Sequence, residues 1–169
     1  MGFTSTIRNH FWASAVFVLV CTIGYGARWA IGDVYSSAQA TDLIEALSRA
    51  GLYLGSAIVT AAATTLALML TLIGMIRRME KEFDNETYRN VDLIAKLATA
   101  SLMIGLVVLL AFTLPVGEFE ELPEDWYVRL YDGLFAATVI MVGLIAATVT
   151  VLYRTARRVI ARMTPSEDV

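Results

Sequence analysis

The longest uninterrupted apolar stretch of the chain runs from Gly51 to Ile76 and contains no Asp, Glu, Lys, Arg or His. As a helix rising about 1.5 Å per residue, it would reach roughly 39 Å, which is enough to cross a bilayer with some tilt. The stretch therefore predicts a membrane-spanning helix.

The rest of the chain follows the same pattern. Its 169 residues are 57% hydrophobic, which is too apolar for an ordinary soluble domain and long enough for one membrane domain. Apolar stretches predict four spans, at about 11–31, 51–76, 93–116 and 127–153. Because these spans take up nearly the whole sequence, we expect a single all-α membrane domain and no separate soluble catalytic domain.

Charge is distributed unevenly between the two sides of the predicted bundle. The side with both termini and the connection between spans two and three carries ten of the thirteen Lys and Arg residues and a net charge of +3, whereas the other side carries −6. Basic residues retained next to span ends mark the cytoplasmic side. We therefore predict cytoplasmic termini. The compact four-span layout favours a prokaryotic cytoplasmic membrane.

The outer connections differ in composition. Residues 32–50 carry apolar side chains at helical spacing, namely Ala40, Leu43, Ile44 and Leu47. This pattern predicts a short amphipathic helix on the outer surface, which can also run straight into span two because only Gly51 marks the join. Residues 117–126 form an acidic outer loop.

The cytoplasmic connection, residues 77–92, contains neither Pro nor Gly. Arg78 with Glu82, and Asp92 with Lys96, place opposite charges four residues apart, the spacing of neighbours on a helix. Asp84-Asn85 is the best turn signal, and either residue can cap the helix that follows. We predict a helical hairpin here, and a basic and then acidic cytoplasmic tail over residues 154–169.

Span two has two different faces at about 100° per residue. One face carries the hydroxyls of Ser56, Thr60, Thr64 and Thr71, called the hydroxyl stripe below. The other carries the large side chains of Ile58, Leu66, Met69, Leu70, Leu72 and Ile73. The large face suits lipid, whereas the stripe either lines a pore or packs against a helix, each hydroxyl bonding a carbonyl one turn back or across the interface. Taken alone, the stripe favours packing.

Span four repeats the two-faced pattern. Gly133, Gly143 and Ala147 lie on a small-residue face, and Gly143 and Ala147 form a small-xxx-small contact motif. These small-residue faces predict self-association or a partner subunit.

The outer ends of spans two and four also resemble each other. Leu52-Tyr53-Leu54-Gly55 in span two corresponds to Leu130-Tyr131-Asp132-Gly133 in span four, and Thr60 and Thr138 follow at the same offset. The matches hint at a duplicated two-helix unit with a pseudo-twofold axis along the membrane normal.

Charged residues gather near the outer boundary of the membrane. Arg28 and Asp132 lie at similar depth and can pair, and Arg28 can also pair with the loop acids. The remaining members of this outer charge cluster are Glu118, Glu120, Glu121, Glu124 and Asp125. The cluster could concentrate cations at a vestibule or bind Ca²⁺ weakly. Alternatively it only balances the topology, since no spacing resembles a dedicated calcium loop.

Several kinds of chemistry find no support in the sequence. No Asp, Glu, Lys or His lies in the middle of a span, which argues against a proton relay. Cys21 and His10 are the only residues of their types, so a disulfide or a haem held by two histidines within one chain is excluded. We therefore expect no cofactor, no metal site and no enzymatic activity. A membrane enzyme using the outer carboxylates is the least favoured class.

Two classes of function remain. The preferred one is an oligomeric channel or passive ion or solute pathway, with span two lining the lumen and the outer acids forming its mouth. The alternative is a non-catalytic accessory or assembly subunit that binds another membrane protein through the small-residue faces. The expected partners are the lipid bilayer and further copies of the chain or another membrane protein, and nucleic acid is not among them.

Overall fold

The computed structural model describes residues 3–32, 37–78, 85–113 and 124–163, with side chains at 11–30, 32, 42–74, 88–113 and 126–157. These residues form four α-helices: α1 (Phe3–Ile31), α2 (Ser37–Arg78), α3 (Asn85–Phe112) and α4 (Glu124–Met163). Each helix is long and apolar enough to span a membrane, and the described part of the chain contains no strand. The prediction of an all-helical protein with four candidate membrane spans is confirmed.

Two helix ends are set by local backbone chemistry. α1 ends at Ile31 and is followed by Gly32, whose φ of 80° is left-handed, a conformation that glycine adopts without a β-carbon clash. The Gly32 N–H donates to the carbonyl of Trp29 at 3.1 Å. α3 begins at Asn85, eight residues before the predicted span 93–116, and ends at Phe112, after which Thr113 forms a turn. Helices commonly end before a proline, which here is Pro115.

Residues 37–50 do not form a separate surface helix. They belong to α2, which continues through Gly51 without a break. Their apolar residues instead contact another helix of the same chain, because Leu43 and Ile44 pack with Tyr131 of α4. The amphipathic pattern thus identified a helix whose apolar face meets another helix.

The predicted hairpin between spans two and three is described only at its two edges. α2 ends at Arg78 and α3 begins at Asn85, while residues 79–84 lie outside the described part. The predicted pair between Lys96 and Asp92 is present, with 2.6 Å from Nζ to Oδ2. The tail beyond residue 163 also lies outside the described part.

The four helices are not equivalent in their packing. α2, α3 and α4 pack against one another as a three-helix group, while α1 packs mainly on α4. α1 and α4 run in opposite directions, so that Ala13 near the start of α1 packs with Ala147 and Val151 near the end of α4. We call this the terminal end of the bundle, and the opposite one, where Arg28 meets Asp132, the loop end.

The junction of the three-helix group is tightly packed. The side chains fully excluded from solvent there are Ala62 of α2, Ile94, Ala98 and Ser101 of α3, and Met141 of α4. Glycines allow the close approach: a β-carbon built at Gly55 would lie 2.8 Å from Leu109 Cδ2, and one at Gly105 would lie 2.6 Å from Val59 Cγ2. Small residues at helix contacts are typical of membrane bundles.

Candidate functional site

The hydroxyl stripe lies on the exposed surface of α2. All four of its side chains are exposed, at intervals of four, four and seven residues from Ser56 to Thr71. The buried residues Ile58, Ala62 and Met69 lie about 180° around the helix axis from the stripe. The stripe therefore points away from α3 and α4.

This arrangement corrects the expected orientation of α2. We expected the face with large side chains to meet lipid, but Ile58 and Met69 on that face are buried, while Leu70 is exposed. Hydrophobic size cannot distinguish the two environments, because lipid tails are as apolar as a neighbouring helix. What brings α3 onto this face is the room left by Gly51 and Gly55, which are buried beside Ile58.

Every hydroxyl of the stripe is bonded within its own helix. Thr60 Oγ1 donates to the Ser56 carbonyl at 2.8 Å, and Thr64 Oγ1 donates to the Thr60 carbonyl at 2.8 Å. Ser56 and Thr71 each donate to a carbonyl three or four residues earlier, at 3.0 Å. A hydroxyl has one hydrogen and two acceptor lone pairs. With the hydrogen engaged, the stripe presents hydrogen-bond acceptors to whatever lies against it.

The small-residue motif of α4 is occupied by α1. A β-carbon built at Gly143 would lie 2.9 Å from Phe17 Cδ2, and Ala147 is buried in the same cluster as Ala13. Gly133, by contrast, is exposed, and a β-carbon there would meet nothing within 4 Å. Gly143 and Ala147 thus form a helix contact within the chain, and Gly133 does not take part in it.

Arg28 and Asp132 form an ion pair between α1 and α4. Arg28 Nε lies 2.7 Å from Asp132 Oδ1, with side chains 25% and 48% exposed respectively. Arg28 Nη1 also donates to the Gly32 carbonyl at 2.7 Å. The guanidinium carbon lies 5.6 Å from the centroid of the Tyr131 ring, within cation–π range. Arg28 therefore joins the end of α1 to the first turns of α4.

The ion pair stands at one end of a groove between α1 and α4 with a volume of about 680 Å³. Its remaining walls are mostly apolar and aromatic, and include Cys21, Tyr25, Trp29, Phe135, Val139 and Ile140. The two helices approach closely at Gly24, where a β-carbon would lie 2.5 Å from Val139 Cγ1. Tyr25 and Trp29 are 75% and 81% exposed, so the groove opens along the bundle surface.

Sequence reasoning found the ion pair but missed the groove. The α1 residues that line it recur at helical spacing, as Cys21, Tyr25, Arg28 and Gly32. That periodicity is visible in the sequence, but it gives no indication of which helix lies opposite. The groove exists because α4 contributes the other wall from more than a hundred residues away.

The other members of the outer charge cluster are not described. Glu118, Glu120 and Glu121 lie outside the described residues, and Glu124 and Asp125 begin α4 but their side chains lie outside the described ranges. Among the described side chains, no three of His, Cys, Asp or Glu lie close enough together to hold a metal ion.

Two surfaces thus stand out, the hydroxyl stripe on α2 and the groove between α1 and α4. Comparison of the chain with models of protein families, with curated proteins and with solved structures finds no match. The function is therefore argued from these two surfaces.

Proposed function

We propose that the protein is the subunit of an oligomeric channel or passive ion or solute pathway, with the hydroxyl stripe lining the path. The observation that carries this proposal is the position of the stripe opposite the buried face of α2. The junction between α2, α3 and α4 supports it, because Ala62, Ile94 and Met141 are fully excluded from solvent there. A path would therefore form between copies of the chain.

The length and composition of the stripe suit such a path. From Ser56 to Thr71 it extends about 22 Å along the helix, compared with roughly 30 Å for the hydrocarbon core of a bilayer. Ala63, Ala67 and Gly74 share this face, and Leu68, between Thr64 and Thr71, is a large exposed side chain beside the stripe. Pore selectivity depends on the donors and acceptors that line it. A row of acceptors favours water or cations over anions.

The path would be passive. The apolar part of α2, residues 51–76, contains no Asp, Glu, Lys, Arg or His that could carry a proton or bind a coupling ion. We place the protein in a prokaryotic cytoplasmic membrane with both termini inside, which the charge difference of +3 against −6 supports. A fluorescent reporter fused to the C-terminus should then be active, and a secreted phosphatase fused there should be inactive.

The double variant T60L/T64L tests the proposal. We expect proteoliposomes containing it to lose about 30-fold of their cation or water flux, because two hydroxyl contacts of about 1 kcal/mol each are removed from the path. The matched control is T22L, since Thr22 is an exposed threonine of α1 whose hydroxyl also bonds its own helix, at 2.8 Å to the Val18 carbonyl. Native flux through an assembled T60L/T64L oligomer would overturn the proposal.

An accessory or assembly role is the alternative, with the stripe as the contact to another membrane protein. Gly143 and Ala147, the surface first expected for such a partner, are covered by α1. Native mass spectrometry of the protein released gently from its own membrane separates the two functions. A closed homo-oligomer supports the pathway, whereas a defined complex with a different membrane protein supports the accessory role.

A further inference from the structure

We propose that the groove between α1 and α4 binds one zwitterionic phospholipid of the surrounding bilayer. The headgroup would lie at Arg28 and Asp132, and an acyl chain would lie along the apolar walls. This site is separate from the hydroxyl stripe and does not depend on the pathway function.

The dimensions of the groove fit an amphiphile. Its volume of about 680 Å³ falls within the range of ligand sites, about 300–1,000 Å³. It extends from Gly32 to Cys21 on α1 and from Asp132 to Ile140 on α4, which corresponds to about 12–16 Å along the helices. One end is charged and the remainder is apolar, as in a lipid.

The location of the groove favours a bilayer lipid over a water-soluble ligand. Its apolar walls belong to the candidate membrane spans Phe11–Ala30 and Trp126–Arg157. Arg28 and Asp132 lie near the loop end of these spans, beside the exposed rings of Tyr25 and Trp29. Aromatic rings of this kind are enriched at the level of lipid headgroups.

The charges favour a zwitterionic headgroup. The ion pair places one positive and one negative group 2.7 Å apart. The positive charge of Arg28 favours a lipid phosphate. The carboxylate of Asp132 is half exposed, and it can accept hydrogen bonds beyond the one from Arg28, which favours a lipid ammonium group. The exposed rings of Tyr25 and Trp29 attract ammonium groups by cation–π interaction.

The first test measures headgroup preference. The full chain is reconstituted into vesicles of equal parts dioleoyl phosphatidylethanolamine and dioleoyl phosphatidylglycerol, and the lipids it retains are counted by native mass spectrometry. We expect one retained phosphatidylethanolamine, in about fivefold excess over phosphatidylglycerol. Equal retention of the two lipids would identify ordinary surrounding lipid and overturn the proposal.

Two substitutions locate the lipid. A136F adds a ring at an exposed position that lines the groove, and should abolish retention of the lipid. Its matched control is A61F on the exposed surface of α2, outside the groove. D132N keeps the side-chain shape but removes the negative charge, and should erase the fivefold preference for phosphatidylethanolamine. Its control is E45Q, which breaks the exposed ion pair of Glu45 with Arg49 elsewhere at the loop end.

The two substitutions check each other. Circular dichroism shows whether A136F retains its helices. If A136F does not fold, the lipid preference of the conservative D132N variant tests the site. Undiminished lipid retention in folded A136F, or an unchanged preference in D132N, would refute the site. A second copy of the chain protecting Tyr25 and Trp29 from labelling, with no retained lipid, would refute it as well.

Discussion

Near the loop end of the bundle, α2 and α4 carry similar segments, 52–55 and 130–133, whose tyrosines and glycines have opposite exposure. Tyr53 of α2 is 80% exposed, whereas Tyr131 of α4 is 2% exposed and packs with Ile44. The glycines are reversed: Gly55 is buried against Leu109, and Gly133 is exposed. The matching sequences therefore do not occupy matching environments.

The difference follows from the position of each helix in the bundle. α4 contacts α1, α2 and α3, while α2 contacts only α3 and α4 extensively. A helix surrounded on three sides buries a tyrosine that a peripheral helix leaves exposed. Because lipid and protein neighbours are equally apolar, a repeated pattern does not reveal which of the two it meets.

The largest expected difference in stability is between two variants that each remove one tyrosine ring, Y131A and Y53A. Y131A should destabilise the protein by about 3 kcal/mol, because it leaves a cavity between α2 and α4 and removes the ring beside Arg28. Y53A should change stability by less than about 0.5 kcal/mol, since its ring contacts no core. Denaturant unfolding in detergent micelles measures both. Equal losses would mean that Tyr53 is covered by another chain.

A smaller effect is expected from filling the two glycine positions. G55L should cost about 1–3 kcal/mol, because the added side chain overlaps Leu109 and separates α2 from α3. G133L has open space around its β-carbon and should lie within about 0.5 kcal/mol of the native chain. Thermal unfolding of the two variants under the same conditions tests this. Destabilisation by G133L would instead indicate a contact with a second chain.

The smallest difference in stability is expected between Thr60 and Thr138, which follow the segments 52–55 and 130–133 at the same offset. Thr138 is buried, and its hydroxyl donates to the Leu134 carbonyl at 2.8 Å, so T138V should cost about 0.5–1 kcal/mol. T60V should leave stability unchanged and lower flux through the proposed pathway. Unfolding and flux measurements on both variants separate a packing threonine from a lining threonine. A loss of stability without a loss of flux in T60V would assign Thr60 to packing.

Much of the local structure could be predicted from the sequence. Apolar length predicts the four helices, and the similar depth of Arg28 and Asp132 gives their ion pair as one of two possible partnerships of Arg28. The bond from each stripe hydroxyl to its own helix follows from the chemistry of Ser and Thr in helices. All of these features depend on residues close in sequence or on a single charged pair.

The assembly of the helices could not be predicted in the same way. The sequence does not indicate that Ile58 and Met69 are buried while Thr60 is exposed. The reason is that lipid and a neighbouring helix are equally apolar, so the two faces of α2 need not differ in polarity. The partner of Gly143 was equally hidden, since Phe17 lies in a different helix. Close approaches between distant helices decide these features.

Because α1 packs mainly on α4, the order of synthesis along the chain limits when α1 can pack. Asp132, the acid that Arg28 binds, is the 104th residue after Arg28 and is therefore synthesised long after α1. α2 and α3 follow each other directly and can pair while synthesis continues, but α1 waits for the last helix of the bundle. Of the four described helices, α1 thus comes first in the chain, and the helix that it contacts most, α4, comes fourth.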